Sequence, residues 1–383
     1  MVETHPIREP SLSEIAVAFL KLGTTAFGGP AVHLAMMEEE FVHRRRWITQ
    51  ADFLDRLATA NLLPGPSSTE VAIFIGHLKR GWRGLIVAGS CFIIPAGLIV
   101  LAIAWAYVKF GSLPRAQGIL YAIKPVVVAI VVQALGKLGR SGVRTPLLAM
   151  IAALAVVLTL AGVSPVLVLV IAGALSAAAS AMRNRLLSAA FAASPKLLPG
   201  LILAGAAVAA SSGVLVRLFL SFLKIGSVMF GSGYVLLAFL QTEFVERLHW
   251  LTEQQLLDSV AVGQFTPGPL SATATFIGYV VAGWTGAVVA TVGIFLPGFI
   301  LVALSGPVIP RLRRSPVFGP ALDGVVAGSL ALMAVVTWQL GKASLVNWTT
   351  LAIFAVSLIA LLRFQVNSAC LIVAAAILGW FLR

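Results

Sequence analysis

Two copies of a Pro-Gly-Pro motif, Pro64-Gly65-Pro66 and Pro267-Gly268-Pro269, carry the clearest chemical signal in this chain. Two prolines around a glycine force irregular backbone, because proline lacks a donor and clashes with the preceding helical turn. A helix that begins after such a break presents free N–H groups and the positive end of its dipole, which attract an anion. A kink that only aids packing is the alternative interpretation. Hydroxyl donors follow both breaks: Ser67, Ser68, Thr69, Ser271 and Thr273.

Two glycine motifs and two lysines form a second set of paired residues. Phe27-Gly28-Gly29-Pro30 and Phe230-Gly231-Ser232-Gly233 each end a predicted helix. They indicate either close helix packing or a second broken helix that faces the first across a site. Lys21 and Lys224 lie within two turns of the starts of those helices, where they either draw an anion into a cavity or snorkel to the membrane surface. The predicted binding set is Lys21, Gly28, Gly29, Pro64, Gly65, Pro66, Ser67, Ser68, Lys224, Gly231, Ser232, Pro267, Gly268, Pro269 and Ser271.

Two titratable side chains near these motifs are candidates for carrying a proton. Glu70 follows the first Pro-Gly-Pro motif, whereas the corresponding region of the second copy holds Thr273. The alternative for Glu70 is an ion pair with a nearby base. His33 lies close to the Gly-Gly-Pro break, with core packing as the alternative.

The other charged residues give weaker indications. Glu40 and Glu243 occupy matching positions in stretches rich in acids, which favours a solvated charged face for both. Lys124 and Asp323 begin matching helices, so a charge pair between them is compatible with the sequence. No catalytic Ser/His/Asp set, carboxylate pair or metal cluster emerges, and we therefore expect a non-enzyme without metal or cofactor.

Composition identifies the kind of element that must position these residues. The chain is 59% hydrophobic and 11% charged, with a mean hydropathy of +1.00, whereas soluble domains carry about 25% charge. Long apolar runs without strict alternation predict an all-α integral membrane protein in a lipid bilayer. The net charge of +13 is divided among short loops, which indicates orientation signals and not nucleic-acid binding. Cys91 and Cys370 lie in apolar runs and are expected to be small buried hydrophobes.

An internal repeat organises the chain. Phe19-Leu20-Lys21-Leu22-Gly23 returns 203 residues later as Phe222-Leu223-Lys224-Ile225-Gly226, and the two Pro-Gly-Pro motifs keep the same offset. After a one-residue gap, Phe74-Ile75-Gly76 matches Phe276-Ile277-Gly278 at an offset of 202. Matched breaks in two related halves are typical of secondary transporters with internal symmetry.

About thirteen apolar segments are predicted: 14–31, 63–78, 84–108, 119–136, 146–162, 165–182, 197–216, 219–240, 266–282, 285–306, 321–340, 347–362 and 366–382. Two six-span halves joined by one crossing must be inverted relative to each other. The predicted division is a first repeat at 1–182, a linker with one span at 183–217, and an inverted repeat at 218–383. Ser11 and Glu14 form a capping-box signal at the start of the first helix.

Loop charges agree with inversion at all but one place. With the N-terminus inside, Lys79 and Arg80 lie inside, whereas the matching loop Val281-Ala282-Gly283 lies outside and is uncharged. The stretch His43-Arg44-Arg45-Arg46 falls outside. Either residues 36–60 form an interfacial amphipathic helix, which is the preferred interpretation, or the Pro64-Gly65-Pro66 segment dips in and returns on the same side.

Several of these motifs together resemble the chromate ion transporter family in its long, two-domain form. The resemblance covers nearly the whole chain and has its departures in the second half, where Ser232-Gly233 replaces Gly29-Pro30 and Leu270 replaces Ser67. It rests on Phe27-Gly28-Gly29-Pro30, Trp47-Ile48-Thr49, Leu63-Pro64-Gly65-Pro66-Ser67-Ser68, Phe74-Ile75-Gly76, Gly81-Trp82-Arg83-Gly84 and their repeats.

The resemblance implies a multi-pass protein of the cell inner membrane that exports chromate and confers resistance, driven by the proton-motive force. Sulfate has the same shape and charge, so either oxyanion fits the predicted partner, together with protons. Alternating access between the inverted repeats is the expected mechanism, and a homodimer is compatible with it. The alternatives are a sulfate or oxyanion uptake permease, an anion channel, and a membrane scaffold without transport.

Overall fold

The computed structural model describes residues 9–111, 113–187, 213–230, 233–315, 317–364 and 366–382. Within these ranges the chain is helical and contains no β-strand, and fourteen α-helices occur in it. Helices α8 to α14 repeat the order of α1 to α7. The bounds are α1 Leu12–Thr25, α2 Pro30–Glu38, α3 Gln50–Ala60, α4 Ser67–Phe110, α5 Pro114–Gly142, α6 Pro146–Leu160, α7 Pro165–Leu187, α8 Val214–Val228, α9 Leu236–Leu240, α10 Glu253–Phe265, α11 Thr273–Arg314, α12 Phe318–Ser344, α13 Trp348–Arg363 and α14 Ser368–Leu382.

Five stretches of the described chain are long and apolar enough to cross a membrane. Helices α6, α13 and α14 are shorter apolar helices. This confirms the prediction of an all-α membrane protein, while the count of thirteen spans stays a prediction. Most of the predicted linker segment 197–216 lies outside the described residues. The five stretches are Ser67–Phe110, Pro114–Gly142, Pro165–Met182, Leu270–Ser305 and Phe318–Ser344.

Side-chain caps begin the helices that enter from the ends of the molecule. Ser11 and Glu14 form the predicted capping box of α1. Thr49 caps α3, and Thr252 with Gln255 forms a second capping box on α10. A capping side chain accepts a hydrogen bond from a first-turn N–H group that has no partner within the helix. These three starts therefore have no donor to offer a ligand at the capped position.

Helix α4 is a hairpin of two helical arms. Its backbone leaves helical geometry at Arg80 and Gly81, where Gly81 has φ 54° and ψ −140°. Gly76 of the first arm and Gly84 of the second pack so closely that a Cβ on either would collide with the other's carbonyl oxygen. Helix α11 folds back in the same way at Ala282–Gly283. A left-handed φ at the turn favours glycine, which explains why Gly81 and Gly283 recur in the repeat.

Helices of the two halves are exchanged in space. Helix α5 packs against α13 and α14 of the second half, and its counterpart α12 packs against α6 and α7 of the first half. Tyr121 on α5 donates to Asn347 Oδ1 at 2.8 Å, at the start of α13, and Gln133 donates to the Leu361 carbonyl at 2.8 Å, near its end. Helices α5 and α13 therefore run parallel, and neither half packs as an independent unit.

The second arms of the two hairpins, in α4 and α11, run in opposite directions where they cross. Gly89 lies against Phe299, whereas Gly97, two turns further along α4, lies near Thr275. The Thr275 hydroxyl bonds that of Thr291 at 2.7 Å, eight residues before Phe299. Opposite directions of matching helices are those expected of inverted halves. The boundaries at 182 and 217 stay a prediction.

The first helix ends next to the predicted motif: α1 stops at Thr25, just before Phe27-Gly28-Gly29-Pro30, and spans about 21 Å at 1.5 Å per residue. One sequence expectation for the region before α4 is wrong, because residues 36–60 are not one amphipathic helix. A π-helical turn, Glu39–Arg44, follows α2, and the side chains of Phe41, Trp47 and Phe53 are fully buried.

The chain after α1 instead turns back along it. The ring of Phe41 lies 4.8 Å from that of Phe19 on α1 and 5.0 Å from Trp47. Lys79 and Arg80, at the end of the first arm of α4, contact Glu9 and the Pro10 carbonyl beside the start of α1. These contacts favour the second alternative, in which the Pro64-Gly65-Pro66 segment dips in and returns.

Candidate functional site

Each Pro-Gly-Pro motif is hydrogen-bonded to the first helix of the other half. The Gly65 N–H group donates to the Met229 carbonyl at 2.6 Å, just after α8. The Gly268 N–H group donates to the Ala26 carbonyl at 2.9 Å, just after α1. Both glycines have a left-handed φ, 141° and 92°. The two breaks therefore hold the two halves together through a reciprocal pair of backbone bonds.

The helix starts behind the two motifs lack side-chain caps. Helix α4 begins after Pro66 and the 3₁₀ turn Leu270–Ala272 begins after Pro269, neither with a capping hydrogen bond from a side chain. Ser67, Ser68 and Ser271 are nevertheless buried there. At each motif the structure thus places buried hydroxyl groups beside an uncapped helix N-terminus, and such a helix start favours an anion.

Several buried polar atoms close to the motifs in sequence make no hydrogen bond within the described part of the chain. They are Thr69 Oγ1, both carboxyl oxygens of Glu70, Gln264 Nε2 and Ser271 Oγ. Buried polar groups in folded proteins almost always have a partner. Unbonded groups around two uncapped helix starts fit a site that binds a polar ligand.

Glu70 is fully buried in this region. Its carboxyl group folds back against Gly65, where an added Cβ would collide with Oε1, and its Cγ lies near Gly298 of α11. An ionised carboxylate without a bonding partner is costly in such surroundings. The corresponding Thr273 instead donates to the Leu270 carbonyl at 2.8 Å. The two halves therefore differ chemically at this position.

His33 connects the break after α1 with the start of α4. Its Nε2 lies 3.1 Å from the Ala26 carbonyl and its Nδ1 lies 3.4 Å from Ser68 Oγ. A carbonyl only accepts, so Nε2 carries the proton and Nδ1 accepts from the Ser68 hydroxyl. The same Ala26 carbonyl accepts from Gly268. His33 and Ser68 thus share a short chain of hydrogen bonds with the second Pro-Gly-Pro motif.

The first glycine motif is a helix break. Gly28 has φ 124°, Gly29 is the N-cap of α2 and Pro30 is its first residue. Of the two interpretations of this motif, the structure supports a second broken helix. In the other half, Gly231 and Ser232 lie outside the described residues.

The two lysines at matching positions of the repeat, Lys21 and Lys224, do not come together beside the Pro-Gly-Pro motifs. Lys21 is exposed and lines a groove of about 530 Å³ between α1 and α2, together with Thr25, Val32 and Glu39. The residues that face Gly268 are instead Gly23 on α1 and Ala26 just after it. Lys224 lies 3.2 Å from Glu243 Oε2. Their role in binding an anion stays a prediction.

The sequence missed a buried acidic residue in each half. Glu40 and Glu243 were expected on a solvated face, yet they are 8% and 4% exposed. Glu40 accepts from Arg44 and Arg45 at 2.8 and 2.6 Å. Glu243 accepts from Ser221 at 2.8 Å, from Lys224 and from Arg247. The signal for both was an arginine four residues after the glutamate, at matching positions of the repeat.

Glu243→Gln should destabilise the protein by about 1–3 kcal/mol, because it leaves Lys224 and Arg247 without their shared carboxylate. Glu40→Gln is the matched comparison and should cost about 1 kcal/mol or less, since Glu40 is held by two arginines of which Arg44 is largely exposed, whereas Glu243 also accepts from the buried Ser221. Thermal unfolding of the purified proteins in detergent measures both. Equal shifts in the two variants would contradict the unequal roles assigned to the two glutamates.

The charge pair between Lys124 and Asp323 that the sequence allowed is not formed. Lys124 instead lies 3.3 Å from Asp258 Oδ1, and Asp323 is exposed. The sequence marks Asp258 only as the repeat counterpart of Asp55. Within the described residues there is no group of three or more His, Cys, Asp and Glu side chains placed to hold a metal ion.

Comparisons with known proteins extend over the whole chain. The sequence model of a family described as "Chromate transporter" matches residues 13–177 and again residues 216–380. The chain is 34% identical to a "Chromate transport protein" of Cupriavidus metallidurans, over 98% of this chain and 94% of the relative. It is 32% identical to a "Probable chromate transport protein" of Synechococcus elongatus, over 99% and 97%. A "Chromate transport protein" of Pseudomonas aeruginosa is 31% identical over 97% and 92%. No solved structure matches the chain.

Proposed function

The chain belongs to the chromate transporter family, and we propose that it is a secondary active transporter that exports chromate across the cell inner membrane. Export of this kind confers resistance to the anion. The family points to a transporter and not an enzyme. A multi-pass membrane protein is in keeping with the long apolar helices.

One observation carries the proposal. Each Pro-Gly-Pro motif is followed by a buried helix start without a side-chain cap, and each motif is hydrogen-bonded to the other half of the chain. A tetrahedral dianion requires several donors around it and a positive field in a region that excludes most water. Uncapped N–H groups behind Pro66 and Pro269, with the unbonded hydroxyl of Ser271, supply these features. Chromate and sulfate both fit this chemistry.

Alternating access is the proposed mechanism, with the two Pro-Gly-Pro motifs as its pivot. The bonds from Gly65 to Met229 and from Gly268 to Ala26 couple each binding segment to the opposite half. Movement of the helices on one side of these bonds against those on the other would open the site to one side of the membrane and close it to the other. An inside-negative potential favours outward movement of a dianion by about 2.3 kcal/mol per charge per 100 mV. Proton antiport through Glu70 and His33 adds to that drive.

The test is chromate uptake into everted membrane vesicles, energised and de-energised, with sulfate as competitor. Saturable, energy-dependent uptake above that of vesicles without the protein is expected. Lys21→Ala and Lys224→Ala, measured alongside, test the predicted role of the lysines. Uptake equal to that of empty vesicles would overturn the chromate assignment. Sulfate entry into intact cells that express the protein would reverse the proposed direction.

A further inference from the structure

A second polar cavity lies away from the Pro-Gly-Pro motifs. Its volume is about 380 Å³, and it lies between α4 and α5 of the first half and α10 and α12 of the second. The ring of Tyr107, in its wall, packs on Phe276 at 5.0 Å as part of a small apolar cluster. Its polar lining comes from Tyr107, Gln117, Tyr121, Lys124, Gln254 and Asp258.

The carboxylate of Asp258 forms an ion pair that joins the two halves of the chain. Its Oδ1 lies 3.3 Å from Lys124 Nζ, and its Oδ2 accepts from the Tyr107 hydroxyl at 3.0 Å. The side chains of Lys124 and Asp258 are 15% and 4% exposed. This ion pair links the first half of the chain to the second.

The ammonium of Lys124 has capacity for more than this one partner. It carries three N–H donors, and only one oxygen of the Asp258 carboxylate, Oδ1, forms the ion pair with it. The cavity wall beside it carries the amide of Gln254, whose N–H groups suit the oxygens of a small anion. The volume holds an oxyanion with several waters. A dianion attracts the ammonium more strongly than a singly charged carboxylate does at equal distance.

We propose that this cavity is a second, peripheral binding site for a small tetrahedral dianion. The bound dianion replaces Asp258 as the ion-pair partner of Lys124. The proposal rests on the proposed function for the class of ligand. Helix α10 leads from Asp258 directly to Pro267, so release of Asp258 frees the helix that carries the second Pro-Gly-Pro motif. Partner exchange at Lys124 therefore admits the anion and loosens the contact of α10 with α4 and α5.

We expect such a peripheral site at only one of the two ends of the transport pathway. The repeat counterpart of Asp258 is Asp55, which is exposed on α3, and the second half carries the acidic Asp323 at roughly the position that Lys124 has in the first. Two acids cannot form the same exchangeable pair. Inversion of the halves would place Asp55 and Asp323 at the opposite end of the transport pathway. The two ends of the pathway therefore differ in their affinity for anions.

Opposite effects of two neutral substitutions test the proposal. Proteoliposomes are given [51Cr]chromate over a range of concentrations, and the KM of initial uptake is measured. Lys124→Gln should raise KM about tenfold, because a charge-assisted contact is lost. Asp258→Asn should lower KM about threefold or more, because the competitor for Lys124 loses its charge. A pair that is only structural would move KM the same way in both variants.

Matched controls separate this result from a folding defect and from failure of the proposed function. Asp55→Asn makes the same change at the repeat counterpart and should leave KM unchanged, and Lys124→Arg should keep it within about twofold. Shifts of the same sign in Lys124→Gln and Asp258→Asn, or no shift in either while the wild type transports, would overturn the second site alone. Absence of saturable uptake by the wild type would overturn the proposed function instead.

Discussion

Glu70→Gln is expected to abolish the response of chromate transport to a proton gradient while anion exchange continues. The glutamine keeps the shape of the side chain but cannot release a proton. Glu70 is fully buried against Gly65 and Gly298, and its carboxyl oxygens make no hydrogen bond within the described residues. A site of this kind favours the uncharged form, so the neutral amide should fold and bind the anion as the protonated acid does.

Two measurements on the same proteoliposomes separate these activities. Uptake driven by an imposed pH difference should fall at least tenfold, whereas exchange of external chromate for internal sulfate should stay within about threefold of wild type. Glu253→Gln, an exposed acid at the start of α10, is the control and should change neither. Loss of both activities would assign Glu70 to anion binding or to the fold. Retention of the pH response would remove it as a proton carrier.

The repeat in the sequence predicted most of the backbone that surrounds the site. Gly65 and Gly268, Gly81 and Gly283, and the break at Gly28 all adopt the unusual φ values for which a glycine motif is a direct signal. The two arms of α4 agree with the apolar segments 63–78 and 84–108, because a break in hydropathy at Arg80 marks their turn. Local rules act within a few residues, so a single sequence is enough to apply them.

Contacts between the halves could not be predicted in the same way. Lys124 was matched with Asp323 from their positions in the repeat, yet exchange of α5 and α12 between the halves brings Lys124 to Asp258. The burial of Glu243 depends likewise on Ser221 and Lys224 of α8, on the far side of a turn. Hydropathy predicts that a helix is buried, but the neighbour that covers it depends on the three-dimensional packing of distant segments.

Gly268→Ala is expected to abolish transport and to destabilise the protein by about 2 kcal/mol or more. An alanine at φ 92° is strained. Its Cβ would also lie 2.7 Å from the Cβ of Ala96 on α4, where neither atom can turn away. Both effects act on the residue whose N–H group donates the hydrogen bond to the Ala26 carbonyl of the other half. Thermal unfolding in detergent and uptake of [51Cr]chromate by proteoliposomes measure the two effects.

Gly139→Ala and Gly65→Ala show whether the effect comes from the bond between the halves. Gly139 lies in α5 with open space where the methyl group of an alanine would stand, so its substitution should be neutral or slightly stabilising. At Gly65 an alanine is also strained by its left-handed φ of 141°, but the added Cβ meets the end of the flexible Glu70 side chain, which can move, and not the rigid Cβ of another residue. We therefore expect Gly65→Ala to unfold at a temperature between those of the other two variants, with transport reduced because Glu70 is displaced. A Gly268→Ala protein as stable and active as Gly139→Ala would show that the reciprocal bonds are not the pivot, since a strained and displaced Gly268 could not keep its bond to Ala26.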